Sequence, residues 1–507
     1  MREFPCGVSV SQRLGGAALG YVAIGLAAFA NLLTLPIVLG GLGQAQFGIY
    51  SLVLAATNFF SLLGAGFNAA YLRFFWHGVV SGDSEEKVNR VFLSILGGMG
   101  VFAALIGAVM APFVPDLLAD DLSAPERALT IDLWLLMVPT VALSLPLGLF
   151  DSYLLARERI VWNKGIALVR QVMNPILFAL VVQSSGGAVG MAAATLALYA
   201  GTGLWVAILC VCRLGFSARA PFDRGLAGRV WSFSLFLLIT TVVDQVNWMA
   251  GRIILGWTAG VSEVAIYSLS SQIQMYYVMI PASLLAVFAP VAHELVARRD
   301  EAALGVQAGN VVRLQTATLG GVLVAFIPWG GQLLTSWAGW EYRSSFTVAA
   351  VLMLGSFVAL SQNIVIEVQK ARNMHRFRAV ALALGAVFNI VVSIQLSERW
   401  GAVGAATGTA IVMIVIDGLI VGIYSQKCAR VDIIAAWRSA LASLWAAVLC
   451  SISVAYIMKT FLSSTMFGAL AGVLCTVGAY AAVYWLAGIS RAERSTVKRA
   501  WRKRCLT

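Results

Sequence analysis

The chain is poor in charge: Asp, Glu, Lys and Arg make up eleven per cent of its 507 residues, whereas a soluble globular protein carries roughly a quarter. Sixty per cent are hydrophobic, so the chain belongs in lipid. Histidine is scarcer still, with His77, His293 and His375 the whole complement, and so small a set argues against a buried metal site or a catalytic triad. The seven cysteines, from Cys6 to Cys505, lack metal-ligand spacing, so neither zinc nor a disulfide framework is expected. No glycine-rich loop leading into Lys-Ser or Lys-Thr occurs, and ATP hydrolysis by this chain is not expected. Long polar loops are missing too, so no substantial soluble domain is expected. No cofactor is implied.

Apolar runs are what the sequence has in abundance. A bilayer core of about 30 Å asks for roughly 20 apolar residues per helix, and about fourteen such runs are present. Six fall between Gly16 and Val211 and six between Val230 and Tyr424; Ala440 to Met458 and Met466 to Leu486 follow. The first two sets echo each other about 215 residues apart. Gly43 and Ile49-Tyr50-Ser51-Leu52 return as Gly260 and Ile266-Tyr267-Ser268-Leu269; Val141-Ala142-Leu143-Ser144 returns as Val358-Ala359-Leu360-Ser361. Gly187-Ala188-Val189-Gly190 returns as Gly401-Ala402-Val403-Gly404, each copy with an Asn upstream, Asn174 or Asn389. The expectation is an all-α polytopic membrane protein with two pseudo-symmetric six-helix lobes, 1–225 and 226–430, two additional helices within 431–490, and a basic tail over 491–507. Two lobes in a membrane protein point to a transporter with its pathway between them.

The net charge of +12 is not spread like a nucleic-acid surface. Basic residues crowd alternate loops, among them Arg157, Arg159, Lys164, Arg213, Arg219, Arg224, Arg298 and Arg299, while the intervening loops hold Arg127, Arg343, Arg399 and Lys459. By the positive-inside bias both termini are expected in the cytoplasm. The first apolar run is too long for a cleaved signal core, and it is expected to stay attached.

The stretch from Leu32 to Phe75, LLTLPIVLGGLGQAQFGIYSLVLAATNFFSLLGAGFNAAYLRFF, resembles the N-terminal signature of the oligosaccharide flippases. These form the polysaccharide-transporter branch of the multidrug/oligosaccharidyl-lipid/polysaccharide exporter superfamily. Gly251 to Ile273, Phe288 to Leu295, Trp337 to Leu354 and the two GAVG segments carry the resemblance along nearly the whole chain. It implies fourteen helices in two lobes around a central cavity, alternating access, and a lipid-linked oligosaccharide as substrate. The partners implied are that substrate, membrane lipids, and a polysaccharide polymerase with chain-length machinery; no nucleic acid is expected. In two respects the chain departs from its relatives. Gly251 precedes Arg252 where members often carry an acid, and Gly16 to Gly40 holds none of the basic residues found in the first helix of lipid II flippases.

An ionisable residue at membrane depth costs roughly 2.5 to 3.5 kcal/mol at a helix centre on insertion scales, so each one asks for a reason. Asp244 stands near the middle of its run, beside Gln245 and Asn247, and reads either as a coupling-ion site or as a structural carboxylate held between helices. Asp417, followed by Gly418, is the second candidate for coupling. Arg252 and Arg170 are candidates for the substrate path, because a guanidinium holds phosphate oxygens bidentately; both also lie close enough to a boundary to snorkel. Gln272, Gln274 and Tyr276 share one helix, with Gln272 and Tyr276 one turn apart. Such amides and rings fit a sugar surface, or serve as ordinary interhelical glue.

Three functions compete at this stage. Flipping of undecaprenyl-pyrophosphate-linked oligosaccharide leads; export of cationic small molecules is second, and a membrane glycan polymerase or ligase is third. The polymerase reading calls for a large outside loop, and the outside loops here are short.

Overall fold

The computed structural model describes residues 10–81, 84–120, 122–372, 376–429, 433–462 and 465–488. The expected basic tail, 491–507, lies outside the described residues. Among them there is no strand, and the helices are α1 (Val10–Ser81), α2 (Glu85–Met110), α3 (Val114–Leu118), α4 (Ala124–Ala156), α5 (Ile160–Gln183), α6 (Gly187–Leu214) and α7 (Arg224–Thr258). There follow α8 (Val261–Arg298), α9 (Glu301–Ala338), α10 (Ser345–Ser361), α11 (Asn363–Ala371) and α12 (Arg376–Val412). A π-helical segment, Met413–Ile420, leads into α13 (Val421–Ala429), and α14 (Ile433–Phe461) and α15 (Met466–Val483) complete the set.

An all-helical chain is what lipid demands, because a helix satisfies its own amide and carbonyl groups where no water can. Ten described spans are long and apolar enough to cross a membrane, so this is a multi-pass membrane protein. Two of them, Gly25–Trp76 with 52 residues and Val380–Tyr424 with 45, are far longer than one crossing. At about 1.5 Å per residue each exceeds twice the thickness of a bilayer core. Each is broken by a glycine in a left-handed conformation, Gly43 at φ 70° and Gly401 at φ 54°. Residues with a Cβ avoid such φ values, so the chain turns where glycine lets it. Polar caps close several other ends: Ser123 and Glu126 form a capping box on α4, Asp223 accepts from Leu226 N–H on α7, and Asp300 accepts from Ala303 N–H on α9.

The chain divides into two compact units, Met1–Ala265 and Ile266–Thr507. In the first, α7 packs on α1 and α3. Gly66 approaches the Ser234 carbonyl, Gly256 approaches Leu118, and the Trp257 Nε1–H donates to Leu117 O at 2.6 Å. Small residues at these crossings let two backbones approach closely. The division by packing falls within α8, after Ala265.

The end of the first unit predicted to be cytoplasmic is an aromatic cluster. Tyr71, Phe92, Phe150, Tyr153 and Phe216 are buried together, with Phe216 4.9 Å from Phe150 and 5.0 Å from Tyr153 between ring centroids. In the second unit the two helices without a repeat partner, α14 and α15, dock on α9. The Trp329 Nε1–H donates to Thr476 Oγ1 at 3.0 Å, the Tyr480 hydroxyl donates to Ala317 O at 2.8 Å, and Gly472 makes room for the Trp329 ring. The outward faces stay apolar: Phe467 is 84% exposed and Leu474 72%, an arrangement suited to lipid.

Candidate functional site

A Tyr-Thr-Asn set and a helix-end ion pair occur in both units at positions related by the repeat. Gly187 at φ 57° opens α6 as Gly401 opens the second part of α12, and Gly43 at φ 70° answers Gly260 at φ 83°. Beside these breaks stands a Tyr-Thr-Asn set in each unit. In the first, Tyr50 faces Thr195, and the Thr195 hydroxyl reaches Asn174 Oδ1 at 3.4 Å. In the second, Tyr267 and Thr409 lie 3.5 Å apart, and the Thr409 hydroxyl reaches Asn389 Oδ1 at 3.5 Å. The reported distances are long, so the contacts are weak polar ones. Ser393 holds Asn389 more tightly, donating to its Oδ1 at 2.8 Å. The repeat places Phe178 opposite Ser393, and it meets Tyr50 edge-on at 5.9 Å instead.

An ion pair is duplicated as well. In the first unit Arg157, just past the end of α4, donates from Nη2 to both Glu85 oxygens at 2.8 and 2.7 Å, with Glu85 opening α2. In the second, Arg372, just past the end of α11, pairs with Glu301 Oε2 at 2.5 Å, with Glu301 opening α9. An acid in a first helical turn suits the helix dipole. The Arg157 Nε–H also donates to the Tyr153 hydroxyl at 3.0 Å. Burial alone lowers the guanidinium's proton affinity, but the Tyr153 hydroxyl and the Glu85 carboxylate outweigh it, and its pKa is raised.

The sequence-predicted residues fall into different settings. Arg170 on α5 donates from Nη1 to Asp151 Oδ2 at 2.7 Å and from Nε to Thr202 Oγ1 at 2.8 Å, and lies 5.7 Å from the Tyr199 ring centroid. Arg252 is partly buried on α7, five residues before Trp257. Gln272 and Tyr276 meet on α8, where the amide donates to the hydroxyl at 3.3 Å. Gln274 is buried, and its amide donates to Ser356 Oγ at 2.7 Å. Asp417 sits in the π-helical segment, 3.8 Å from the Arg378 guanidinium. Asp244 and Asn247 fall on α7, and their side chains lie outside the described residues. Among the described residues no group of three His, Cys, Asp or Glu is arranged to hold a metal.

Sequence reasoning missed several participants. Asp151, near the end of an apolar run, is the chief one. Its signal was the second acid at the matching repeat position, Glu367, which is also paired, to Lys370 at 2.8 Å. Gln362 is another: its amide donates to both Asp417 O and Gly418 O at 2.8 Å, the carbonyls of a π-helical segment whose bonding register has slipped by one residue. A π-bulge leaves no mark in apolar periodicity. Arg313 on α9 reaches Gly488 O at 3.4 Å and ties α9 to the end of the last described helix.

Comparison with known proteins agrees with this architecture. The family model described as "Polysaccharide biosynthesis protein" matches residues 15–296. Among solved structures, a lipid II flippase MurJ in an inward closed conformation is similar, with a TM-score of 0.73 at 15% identity, covering 92% of this chain and 98% of that one. An inward-facing multidrug resistance MATE family transporter of the MOP superfamily gives a TM-score of 0.55 at 16% identity, covering 83% and 97%. At such identity the likeness is one of fold. No curated protein matches the chain.

Proposed function

The chain belongs to the polysaccharide biosynthesis protein family, and from that premise we propose that it flips lipid-linked oligosaccharide units across the cytoplasmic membrane for surface polysaccharide. The observation that carries this reading is the family match on a chain built twice over: two copies of one helical plan suit an alternating-access carrier better than an enzyme. Its fold is that of the MOP transporters and flippases, one of which is a flippase of lipid II, itself a lipid-linked substrate. The fourteen-helix arrangement fits if the spans broken at Gly43 and Gly401 count as two each and α7 and α8 also cross.

In this reading the lobes are 1–225 and 226–430, the termini face the cytoplasm, and the membrane is the inner one. Arg252 and Arg170 contribute positive charge toward a pyrophosphate, and the Gln272–Tyr276 pair offers an amide and a ring to sugar. Asp244 and Asp417 are the carboxylates for ion coupling. A polysaccharide polymerase and chain-length machinery act downstream. Export of cations is the competing reading, carried by the MATE-like fold.

A deletion strain separates the two. Flipping predicts loss of surface polysaccharide, with lipid-linked units accumulating in the cytoplasmic leaflet. Unchanged surface glycan with increased sensitivity to cationic dyes would transfer the assignment to cation export.

A further inference from the structure

The Arg170 site is electrically balanced by a residue that the sequence did not single out. Asp151 Oδ2 accepts from Arg170 Nη1 at 2.7 Å, Thr202 Oγ1 accepts from Nε at 2.8 Å, and the side chains of the pair are only 15% and 26% exposed. The two bonds leave three of the five guanidinium N–H groups for other acceptors. The second oxygen of the same carboxylate, Asp151 Oδ1, is buried and has no hydrogen-bond partner. A buried charged acceptor with no donor is costly, and a proton is the smallest group that relieves it.

Charge then limits what the site can do. With Asp151 ionised the pair is neutral overall, and an approaching phosphate meets the carboxylate as well as the guanidinium. With Oδ1 protonated, Arg170 keeps its full charge while Thr202 and the Tyr199 face still hold the guanidinium in place. A phosphate oxygen can then take over the donors that faced the carboxylate. Among the other titratable groups, Cys210 on α6 lies within electrostatic reach of Asp151 and Tyr199 on α6 faces Arg170, while Tyr153 and Arg157 follow Asp151 toward and just past the end of α4. From α1 and α2, Tyr71 and Glu85 serve the neighbouring Asn89 and Arg157 contacts.

We infer that Asp151 and the anionic phosphate of the substrate compete for Arg170, so that headgroup binding is accompanied by uptake of one proton at Asp151 Oδ1. Release of the phosphate returns that proton to solvent and restores the ion pair; no other bond is made or broken. Asp151 is thus a positioning residue that links phosphate affinity to pH. The inference rests on the flippase reading in one respect, that the substrate carries phosphate.

The test uses the full-length protein in nanodiscs with farnesyl pyrophosphate as the probe, its affinity measured from pH 5.5 to 8.5. The ratio of the Asp151→Asn affinity to the wild-type affinity cancels the probe's own ionisation. Where Asp151 is ionised, that ratio should climb toward about tenfold per pH unit, as linkage to a single proton requires. Asp151→Glu should restore the wild-type slope, and Arg170→Ala should lose probe binding. As a second measurement on the wild type alone, about one proton should be taken up per bound probe at alkaline pH, where the probe is already fully ionised. A ratio that stays flat with pH, an absence of proton uptake, or undiminished binding in Arg170→Ala would each overturn the inference. These outcomes are independent of the deletion strain, so the linkage can fail while the flippase reading stands.

Discussion

The duplicated ion pair allows one unit to serve as the control for the other. Arg157 and Glu85 are 31% and 25% exposed in their side chains, and the guanidinium has a third bond to the buried Tyr153 hydroxyl. Arg372 and Glu301 are 15% and 47% exposed, so solvent screens that carboxylate far more. Hydrogen bonds to charged groups contribute about 1.5–3 kcal/mol when sheltered, and exposed pairs about 0.2–1 kcal/mol. Discounting the first pair for its partial exposure gives a coupling of about 1–2 kcal/mol, and the second falls at about 0.5–1 kcal/mol. Two double-mutant cycles measure these values, one with Glu85→Gln and Arg157→Gln, the other with Glu301→Gln and Arg372→Gln, each read by unfolding of the purified protein in detergent. Raising the salt should weaken the Arg372–Glu301 coupling more than the other, because exposed charges are screened and sheltered ones much less. A coupling at Arg372–Glu301 equal to or larger than that at Arg157–Glu85 would refute the burial argument.

Gly472→Leu should cost about 1–3 kcal/mol by forcing the Trp329 ring from its place between α9 and α15, seen as a lower midpoint in thermal unfolding and earlier proteolysis of the last two helices. The Asp223 carboxyl is held below its usual range first by the Leu226 N–H it caps, an effect that outweighs its slight desolvation. A lowered pKa stabilises above the unfolded value, so this contribution is complete at neutral pH and is lost as pH falls through the lowered value. Asp223→Asn keeps the cap without the acid, and its stability should be less sensitive than wild type in the acid range; an unchanged acid profile would argue against the cap's role.

Much of this molecule was legible because lipid leaves few choices. Sixty per cent hydrophobic residues in runs of about twenty require helices, since only helices and closed barrels satisfy the backbone without water. The echo about 215 residues apart was equally readable, and four of its glycines, Gly43, Gly187, Gly260 and Gly401, proved to be backbone positions with left-handed φ. Even the ion pairs were encoded there, since Glu85 and Arg157 recur as Glu301 and Arg372 at nearly that offset.

Pairing between distant helices is a different matter. Arg170 read as a substrate-path or a snorkelling residue, and its pairing was hidden because the acid that neutralises it lies on another helix, 19 residues away. Gln274 read equally as a sugar contact or as interhelical glue, and only the packing showed that its amide donates to Ser356, 82 residues on. The slip into π-helical bonding at Met413–Ile420 was invisible as well, since its carbonyls are satisfied by Gln362 from another helix. Composition and periodicity decide which segments enter the membrane, because burial of apolar surface and of backbone is a property of each segment alone. Which polar side chains are paired is decided by how those segments pack, because a hydrogen bond in lipid exists only when two helices bring both partners together. The helices and their duplication were thus determined by the sequence, and the charge balance of the candidate site by the tertiary structure.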